Sequence, residues 1–458
     1  MTRKFKTADY NATLNLTIRL EEALPPNHLA RFIVDVIAQL DLRRIYARYA
    51  PVGGEPIAPE ILLGLLFYGY ATGVFSSRKI EKATFESIPF RFVAGGLHAA
   101  RDHDTLANFR KTFLPELHEL FVQILLLAQI AGVLKLGNLS LDGSKIHADA
   151  SKSHAVSYKR LVELEAQLRQ EVSELFALGE QADQGDLQLP EGLRLPDELA
   201  LRQARLENLA QAKAVLEARA QVRDTTEKAA YDAQLREREE KAPLRETKRK
   251  PRGRKPKPPQ PGPQDKDQYN FTDPDSRIMK NSTDDGFDQH YNVQVATDQA
   301  SLLIVASSLS NHPNDKREAE PTLAALSPQL GKPQAAALDN GFFSPATLEA
   351  CEKRGIEPYI ATGREAHHQS WRSFFDRRPE PPPEDACVKV KMAYKLQTAI
   401  GQAIYRLRKC TVEPVIGIIK EVLGFRQFSL RGLAAAAGEW CLVCLAFNLK
   451  RLHVLLAG

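Results

Sequence analysis

Three acidic residues stand in sequence settings where α/β proteins present reactive groups. Asp142 comes at the end of a short segment of alternating apolar and polar residues and is followed by Gly143. Asp339 ends the apolar run AAALD, and Glu413 lies directly before Pro414 in RKCTVEPVIGIIK. Carboxylates on turns at the carboxyl ends of strands are well placed for chemistry. The alternative for each aspartate alone is an ordinary turn, because Asp-Gly and Asp-Asn-Gly are turn signals.

Together, the three carboxylates are the ligands that a pair of divalent metal ions requires. Mg²⁺ prefers hard oxygen ligands and keeps several waters, so a few Asp or Glu side chains hold it. Two ions about 4 Å apart promote phosphoryl transfer, since one activates water or a 3′-hydroxyl and the other stabilises the leaving oxygen. We therefore predict catalytic and metal-binding roles for Asp142, Asp339 and Glu413, with Mg²⁺ (or Mn²⁺) in a two-metal site that acts on DNA.

Neighbouring strands must bring the two aspartates together, and the sequence after Asp273 supplies them. HYNVQVAT and SLLIVASSLS are predicted as adjacent strands joined by a tight turn. A helix, the buried strand that ends in Asp339, a helix begun by Ser344 and the strand EPYIAT follow. This order is typical of an α/β domain, and its first strand is the segment that ends in Asp142.

Glu413 must come from a helix packed beside those strands. Proline is disfavoured in a helix interior but tolerated in the first turn, so we predict that a helix restarts at Pro414 with Glu413 at its N-terminal edge. Lys420 then lies two turns further on the same face, where it can bind a DNA phosphate. Arg406 and Lys409 on the preceding turns add positive charge and are predicted DNA contacts as well.

The residues before the first aspartate predict a compact helical domain with short basic helices. Pro59 is expected to open one helix, and Asp104 is expected to cap another that exposes Arg110 and Lys111. Such helices are compatible with helix-turn-helix contact to DNA. The alternative is that these basic side chains form a solvated face.

A segment of different character separates Asp142 from the remaining strands. Leucines at helical spacing over residues 158–178 and 199–216 predict an antiparallel helical hairpin, with a partner-binding or dimer role as the alternative. The Pro-rich basic segment that follows contains Arg249, Arg252 and Arg254. Its charge density suits contact with the phosphate backbone through counterion release, and an inert solvated linker is the alternative.

Composition bounds the class of protein. The 458 residues include 62 Lys and Arg against 57 Asp and Glu, a formal net charge of +5 that permits a nucleic-acid partner without requiring one. No signal-peptide segment or bilayer-length apolar helix is recognised, so we expect a soluble cytoplasmic protein without membrane association.

Five scattered cysteines indicate reduced thiols. Cys441 and Cys444 form a C-x-x-C in an apolar run that we interpret as helix core, with metal or redox work as the alternative.

Several segments combine into a pattern that resembles a known family. They are LDGSKIHADAS, DPDSRIMK, DDGFDQHYNVQVATD, LDNGFFS, VEPVIGIIK, FSLRG and FNLKRL, preceded by HLARFIVDVIAQLDL, SSRKIEK and DHDTLANFRK. The combination resembles the DDE transposases of bacterial insertion sequences and covers nearly the whole chain. More narrowly, it resembles the superfamily around insertion sequences four and five, in the subgroup with a helical N-terminal domain and an insertion after the first aspartate.

The resemblance implies an RNase H-like catalytic core within an α+β or α/β fold. The expected parts are a helical N-terminal DNA-binding domain (1–134), the first part of the core (135–157), an inserted helical hairpin and basic Pro-rich linker (158–264), and the remainder of the core (265–458). It also implies Mg²⁺-dependent cleavage of double-stranded DNA at element ends, strand transfer into target DNA, and action as a homo-oligomer. Asp142, Asp339 and Glu413 match the family's acidic triad.

One block of the family pattern, often written Y-x2-R-x3-E-x6-K, fits only in part. Glu413 and Lys420 fit it. Its tyrosine and arginine are out of phase here: the two places hold Arg406 and Lys409, with Tyr405 and Arg408 each one position early.

Two other functions are compatible with the same residues. One is a catalytically inactive DNA-binding relative, such as a repressor or a domesticated transposase, against which the intact acidic triad argues. The other is an RNase H-like nuclease that cleaves without joining. Inverted repeats beside the reading frame favour a transposase over both. Asp285 and Asp315 lie near the predicted strands and are further candidates for assistance at the metals, with turn or capping duty as the alternative.

Overall fold

The computed structural model of the chain describes residues 19–20, 22–50, 56–96, 102–184, 190, 193–240, 256–281, 286–363 and 380–457. Contacts divide the chain into two compact units. The first comprises Met1–Asp149, Asn281–Asp285 and His290–Gly458, and the second comprises Ala150–Lys280 and Gly286–Gln289. The predictions for four residues lie outside the described residues: Arg249, Arg252, Arg254 and Asp285.

The described residues form both helices and strands, and seven α-helices precede the first strand. The strands are β1 (Asn138–His147), β2 (Ala155–Ser157), β3 (Gln268–Asn270), β4 (Arg277–Lys280), β5 (Phe287–Asp298), β6 (Ile304–Ser310), β7 (Ala335–Leu338) and β8 (Glu357–Ile360). The α-helices are α1 (Leu29–Ile37), α2 (Arg43–Tyr46), α3 (Pro59–Ala71), α4 (Ser77–Glu86), α5 (Ile88–Val93), α6 (His103–Thr112), α7 (Leu114–Ile130), α8 (Tyr158–Asp183), α9 (Leu195–Glu240), α10 (Ala319–Ala324), α11 (Pro345–Arg354), α12 (Val388–Gln397), α13 (Ala399–Gly417) and α14 (Leu433–Ala457).

A mixed sheet organises the first unit. Five of its strands lie in the order β6–β5–β1–β7–β8, and β4 also pairs with β5. Strand β5 runs antiparallel to β1 and β6, whereas β1, β7 and β8 run parallel. The mixture of helices with this sheet agrees with the predicted α+β class. The predicted hairpin of β5 and β6 is confirmed, as are the buried strand before Asp339 and the helix begun by Ser344, whose hydroxyl caps α11.

The first strand is longer than the sequence indicated. We expected the strand to end at Asp142, but β1 continues to His147. The reason is its antiparallel partner, because β5 pairs with β1 from Leu139 as far as His147. Beyond that point, the backbone of His147 exchanges hydrogen bonds with the segment 426–428. The expectation that Asp142 lies at a strand end was therefore wrong.

Helix α14 forms the centre of the helical packing. It contacts α1, α3, α7 and β6, which places the N-terminal helices in the same compact unit as the sheet. The functional division at residue 134 stays a prediction. Cys441 and Cys444 are buried in α14 as free thiols, so their interpretation as helix core is confirmed.

Among the described residues, α14 is the one helix that is by itself long and apolar enough to cross a membrane. Its packing explains that composition, because it is largely buried inside the unit. It also carries the buried Asn448, whose amide oxygen accepts from the Ile304 N–H at 2.8 Å and whose amide nitrogen donates to the Ile304 carbonyl at 2.7 Å. Both polar groups of the side chain are thus satisfied within the protein.

The N-cap of α6 lies two positions before the expected one. Asp102 is the N-cap, and its carboxylate accepts from the backbone N–H of Asp104 at 2.9 Å. Asp104 itself is in the first turn, where its charge faces the positive end of the helix. A carboxylate in either place stabilises the helix start, so the helix was predicted correctly although the capping residue was not.

The expectation that α6 exposes Arg110 was wrong, whereas Lys111 is exposed. Arg110 is buried because polar partners surround its guanidinium: Nη1 donates to the Tyr70 hydroxyl at 2.7 Å and to the Phe75 carbonyl at 3.2 Å. The same nitrogen lies 3.7 Å from the buried Glu439 carboxylate. Arg110 therefore belongs to the interior of the first unit.

The second unit contains the predicted antiparallel helical hairpin. Helices α8 and α9 pack along each other, and ion pairs join them at Glu165–Lys213 (2.9 Å) and Glu171–Arg202 (2.9 Å). Residues later in α8 pair with residues earlier in α9, which confirms the antiparallel arrangement. A small apolar core stabilises this unit: Val156, Leu161, Leu168, Leu209, Ala212 and Leu216.

Shortening a side chain in that core is expected to destabilise the hairpin. Leu161 is fully buried, so Leu161→Ala should cost about 2–5 kcal/mol through lost burial and the cavity left behind. Leu201→Ala is the matched control, because Leu201 is exposed on α9 and its loss should change stability by less than about 0.5 kcal/mol. Urea unfolding followed by circular dichroism measures both. Equal effects of the two substitutions would contradict the packing described.

Candidate active site

Strand register brings Asp142 and Asp339 together. The parallel pairing of β1 with β7 ends at Leu141 opposite Leu338, so the next residue on each strand is an aspartate. At this point β7 leaves the sheet, whereas β1 continues beside β5. The two carboxylates therefore meet at the carboxyl end of β7, where the chain of an α/β sheet commonly presents functional groups.

Helix α13 supplies the third carboxylate. Its N-terminus is capped by the Thr398 hydroxyl, which accepts from the Gly401 N–H at 3.1 Å. Along its length it is tied to β1, because the Thr411 hydroxyl donates to the Ser140 hydroxyl at 2.8 Å. These contacts fix the position of the helix that carries Glu413.

The expected restart of a helix at Pro414 was wrong. Helix α13 runs through Pro414 to Gly417, so Glu413 lies inside the helix. Proline lacks the N–H that an interior turn uses, but burial of Val412 and Val415 on either side holds the turn against the sheet. A π-helical turn over Ile418–Val422 follows directly. Such turns are frequent at functional sites, and this one carries Lys420.

A guanidinium lies among the three carboxylates. Arg408 Nη1 donates to Asp142 Oδ2 at 2.8 Å, and Nη2 donates to Glu413 Oε1 at 3.2 Å. Nη2 also lies 3.7 Å from Asp339 Oδ1. One side chain from α13 thus reaches all three residues of the predicted triad. The signal for this residue in the sequence was weak, namely an arginine one position early in the family's third block.

Burial and charge act in opposite directions on these groups. The Arg408 side chain is 7% exposed and that of Asp142 23%, whereas those of Asp339 and Glu413 are 50% and 47% exposed. Burial raises the pKa of Asp142 to about 6, although Arg408 and the Gly143 N–H lower it. Burial lowers the pKa of Arg408, but the charges of Asp142 and the other carboxylates outweigh this and raise it overall.

The glycine after Asp142 has a packing role rather than a turn role. A Cβ atom at position 143 would lie 2.2 Å from Gln294 Nε2 on the paired strand β5. The Gln294 amide instead donates to Asp315 Oδ1 at 2.8 Å, and the Asn292 amide donates to the same oxygen at 2.8 Å. Asp315 is thus held by two amides, and whether it assists at the metals stays a prediction.

The predicted DNA-contacting residues of α13 and the turn after it lie around this site. Arg406 and Lys409 are exposed on α13. Lys420 is half-buried, and its Nζ donates to the Ser144 hydroxyl of β1 at 3.2 Å. Burial lowers the pKa of Lys420, partly offset by the neighbouring Glu421. One lysine of the predicted set, Lys420, therefore contacts the strand that carries Asp142.

The donor set fits divalent cations by its chemistry. Three carboxylates converge on one charged centre, and two of them are half-exposed, as hard oxygen ligands that keep solvent access must be. They are spread more widely than ligands of a single ion. Among the described residues, ligand atoms that all lie within 4.8 Å of one another are found at Asp102, His103 and Asp104, and not at the triad. At this wider spacing, the three carboxylates can be shared between two metal ions.

Comparison with known families gives two matches. Residues 18–112 match a family described as a transposase domain (DUF772), and residues 262–449 match the transposase DDE domain. The second range contains Asp339, Arg408 and Glu413, whereas Asp142 lies outside both ranges. Searches of curated proteins and of solved structures gave no significant match.

The DDE match accounts for the architecture around the site. It implies an RNase H-like core, a dependence on divalent metal ions and DNA as the substrate. The mixed sheet with an aspartate on β1 and another after β7 agrees with such a core. With both transposase domains present in their order along the chain, the protein belongs to the DDE transposases of the insertion-sequence type.

Proposed function

We propose that this transposase cleaves double-stranded DNA at the ends of its insertion sequence and joins the released 3′-hydroxyl to target DNA. The observation that supports this most directly is the convergence of Asp142, Asp339 and Glu413 on a single guanidinium. The three carboxylates come from a strand, a strand end and a helix that are far apart in sequence. Aspartates that only form turns have no reason to lie close to one another. The proposed cofactor is Mg²⁺, with Mn²⁺ as a substitute, in a two-metal site.

The residues of the chain then have distinct roles. A bound pair of divalent cations supplies the charge that activates the attacking hydroxyl and stabilises the leaving oxygen. Asp142 is rigid, since it lies within β1 and accepts from the Gly143 N–H at 2.8 Å. Asp339 and Glu413 are more exposed, so solvent and a bound substrate can reach their carboxylates. Most of the rate enhancement is expected from positioning and electrostatics, with no covalent protein intermediate.

Basic residues near the site are proposed to hold the DNA backbone. Lys420, Lys409 and Arg406 lie on α13 and the turn after it, close to the triad, and Lys111 is exposed on α6. Phosphate contacts of this type fix the register of the duplex without reading its sequence. The basic segment with Arg249, Arg252 and Arg254 is proposed to add backbone contacts, on the charge of its sequence alone. Assembly as a homo-oligomer on DNA is part of the same proposal.

A cleavage and joining assay tests the proposal. The substrate is DNA that carries the gene's own flanks, incubated with Mg²⁺ or Mn²⁺ and either the wild type or Asp142→Ala. We expect metal-dependent nicking at the flank boundaries that the substitution abolishes, because Asp142 provides the most rigid of the three carboxylates. Joined products are expected as well.

The same assay separates the alternatives. Tight binding to the flanks without cleavage by either protein would indicate an inactive DNA-binding relative. Cleavage at the boundaries without any joined product, over a range of target DNA concentrations, would indicate a nuclease. Nicking by the Asp142→Ala protein at the wild-type rate would contradict the proposed triad.

A further inference from the structure

Arg408 is the residue of the site whose surroundings the proposed reaction leaves unexplained. Its side chain is almost fully buried, although a guanidinium is costly to remove from water. Among the described residues its buried Nε atom has no hydrogen-bond partner, and its two Nη atoms donate to carboxylates of the triad. The Tyr405 ring lies 6.0 Å from its guanidinium carbon, on the same helix. A buried arginine of this kind is retained at a cost in stability.

The contacts of Arg408 use the same oxygens that metal ligation requires. Asp142 Oδ2 and Glu413 Oε1 each accept one of its N–H groups, and Asp339 Oδ1 lies near the second nitrogen. Carboxylates this close to one another repel, and a positive charge among them reduces the repulsion. A divalent cation on the same oxygens is repelled by that charge and must displace at least part of the ion pairing.

We propose that Arg408 is a positioning residue that gathers the three carboxylates by ion pairing and competes with divalent cations for their oxygens, so that it sets the metal affinity of the site. The inference rests on the proposed function, since it concerns the same triad. It predicts that Arg408 weakens metal binding, whereas a residue that merely supports the ligands would strengthen it.

The test measures Mn²⁺ binding to the full-length protein without DNA, by calorimetry and by electron paramagnetic resonance. Arg408→Gln removes the charge and keeps a polar side chain. We expect it to bind Mn²⁺ at least about tenfold more tightly than the wild type, because a like charge within a few ångströms of the ion is removed. The rise in unfolding temperature on adding Mn²⁺ should be larger as well, since at a given Mn²⁺ concentration a tighter-binding ligand stabilises the folded state more.

A matched control removes the same charge from the same helix. Arg406 is exposed on α13, so Arg406→Gln should leave the Mn²⁺ affinity within about twofold of the wild type because solvent screens its charge. Arg408→Lys keeps the charge but not the planar fork that reaches several carboxylates. It should bind Mn²⁺ about threefold more tightly, and it keeps the inference testable when Arg408→Gln does not fold.

The outcomes distinguish this inference from the proposed function. Unchanged or weaker Mn²⁺ binding by the Arg408 variants, beside a wild type that binds Mn²⁺ and cleaves DNA, overturns only the role of Arg408. A wild type that neither binds Mn²⁺ nor cleaves DNA overturns both. Tighter binding by Arg408→Gln with an unaffected Arg406→Gln supports the competition.

Discussion

Glu413→Gln should lower metal-dependent DNA cleavage by about a thousandfold or more. The substitution keeps the size of the side chain but removes the negative charge that a cation ligand requires. Removing a single preorganised charged group from an active site commonly costs 10²–10³-fold, and groups that act as one unit cost more. Glu413 is well placed for such a role, since its carboxylate is half-exposed and lies 3.2 Å from the guanidinium that also contacts Asp142.

The same substitution should leave folding nearly unchanged. Glu413 is one of three like charges around Arg408, so its neutralisation relieves repulsion while it weakens one ion pair. The two effects oppose each other, and we expect a change in unfolding free energy below about 1 kcal/mol. A large loss of cleavage without a loss of stability marks a residue retained for chemistry.

Glu421→Gln provides the matched control. Glu421 lies in the π-helical turn after α13, and its exposed carboxylate pairs with Arg426 on the surface. Exposed pairs of this kind contribute little, so cleavage should stay within about threefold of the wild type. Single-turnover rates at saturating Mg²⁺ measure both variants. Comparable rates for Glu413→Gln and Glu421→Gln would remove Glu413 from the proposed triad.

The strands of the core could be predicted because their signals are local. The apolar run before Asp339 is a fully buried strand, and the polar break after it ends that strand. Ser344 and Gly355 mark the ends of α11, through a side-chain cap and a left-handed backbone conformation. Segments of this kind carry their own start and stop signals, so a single sequence is sufficient to recognise them.

Two errors, the end of β1 and the course of α13, involve partners that are distant in the chain. The length of β1 depends on β5, and nothing near Asp142 in sequence indicates where that pairing ends. Helix α13 continues through Pro414 because the sheet packs against the residues on either side of it. Local propensity predicts secondary structure poorly wherever tertiary packing determines where a helix or strand ends.

Two arginines show the same limit of prediction from sequence. Arg110 was predicted to be exposed, and Arg408 was assigned no role. Arg110 looks like a surface residue of a short basic helix, and Arg408 looks like an arginine out of phase with a family pattern. Each is buried because carboxylates from distant segments meet its guanidinium. A buried charge requires a partner, but a single sequence does not show which acidic residue supplies it.

The interior ion pair of Arg110 leads to the second large effect, on stability. Glu439 is fully buried in α14, and each of its oxygens accepts hydrogen bonds from another part of the first unit. Oε1 accepts from the Tyr70 hydroxyl at 2.9 Å and from the Ser429 hydroxyl, and Oε2 accepts from the backbone N–H groups of Ser429 at 2.9 Å and Leu430 at 3.0 Å. The carboxylate therefore joins α3 and the segment after the π-helical turn to α14.

Glu439→Leu should destabilise the protein by about 3–5 kcal/mol, because it leaves the Arg110 guanidinium buried without a counter-charge. Glu86→Leu is the control: Glu86 pairs with Lys82 on the surface of α4, and its loss should change stability by less than about 1 kcal/mol. Thermal and urea unfolding measure both variants, with DNA cleavage by the folded fraction as a second readout.

A double substitution separates the lost ion pair from lost packing. Arg110→Met added to Glu439→Leu removes the unpaired charge, so the double variant should be more stable than Glu439→Leu alone. Recovery should remain incomplete, because the two backbone N–H groups at Ser429 and Leu430 still lack the acceptor that Glu439 supplies. Strictly additive losses would instead show that Arg110 and Glu439 act independently, in spite of the 3.7 Å that separates their charged atoms.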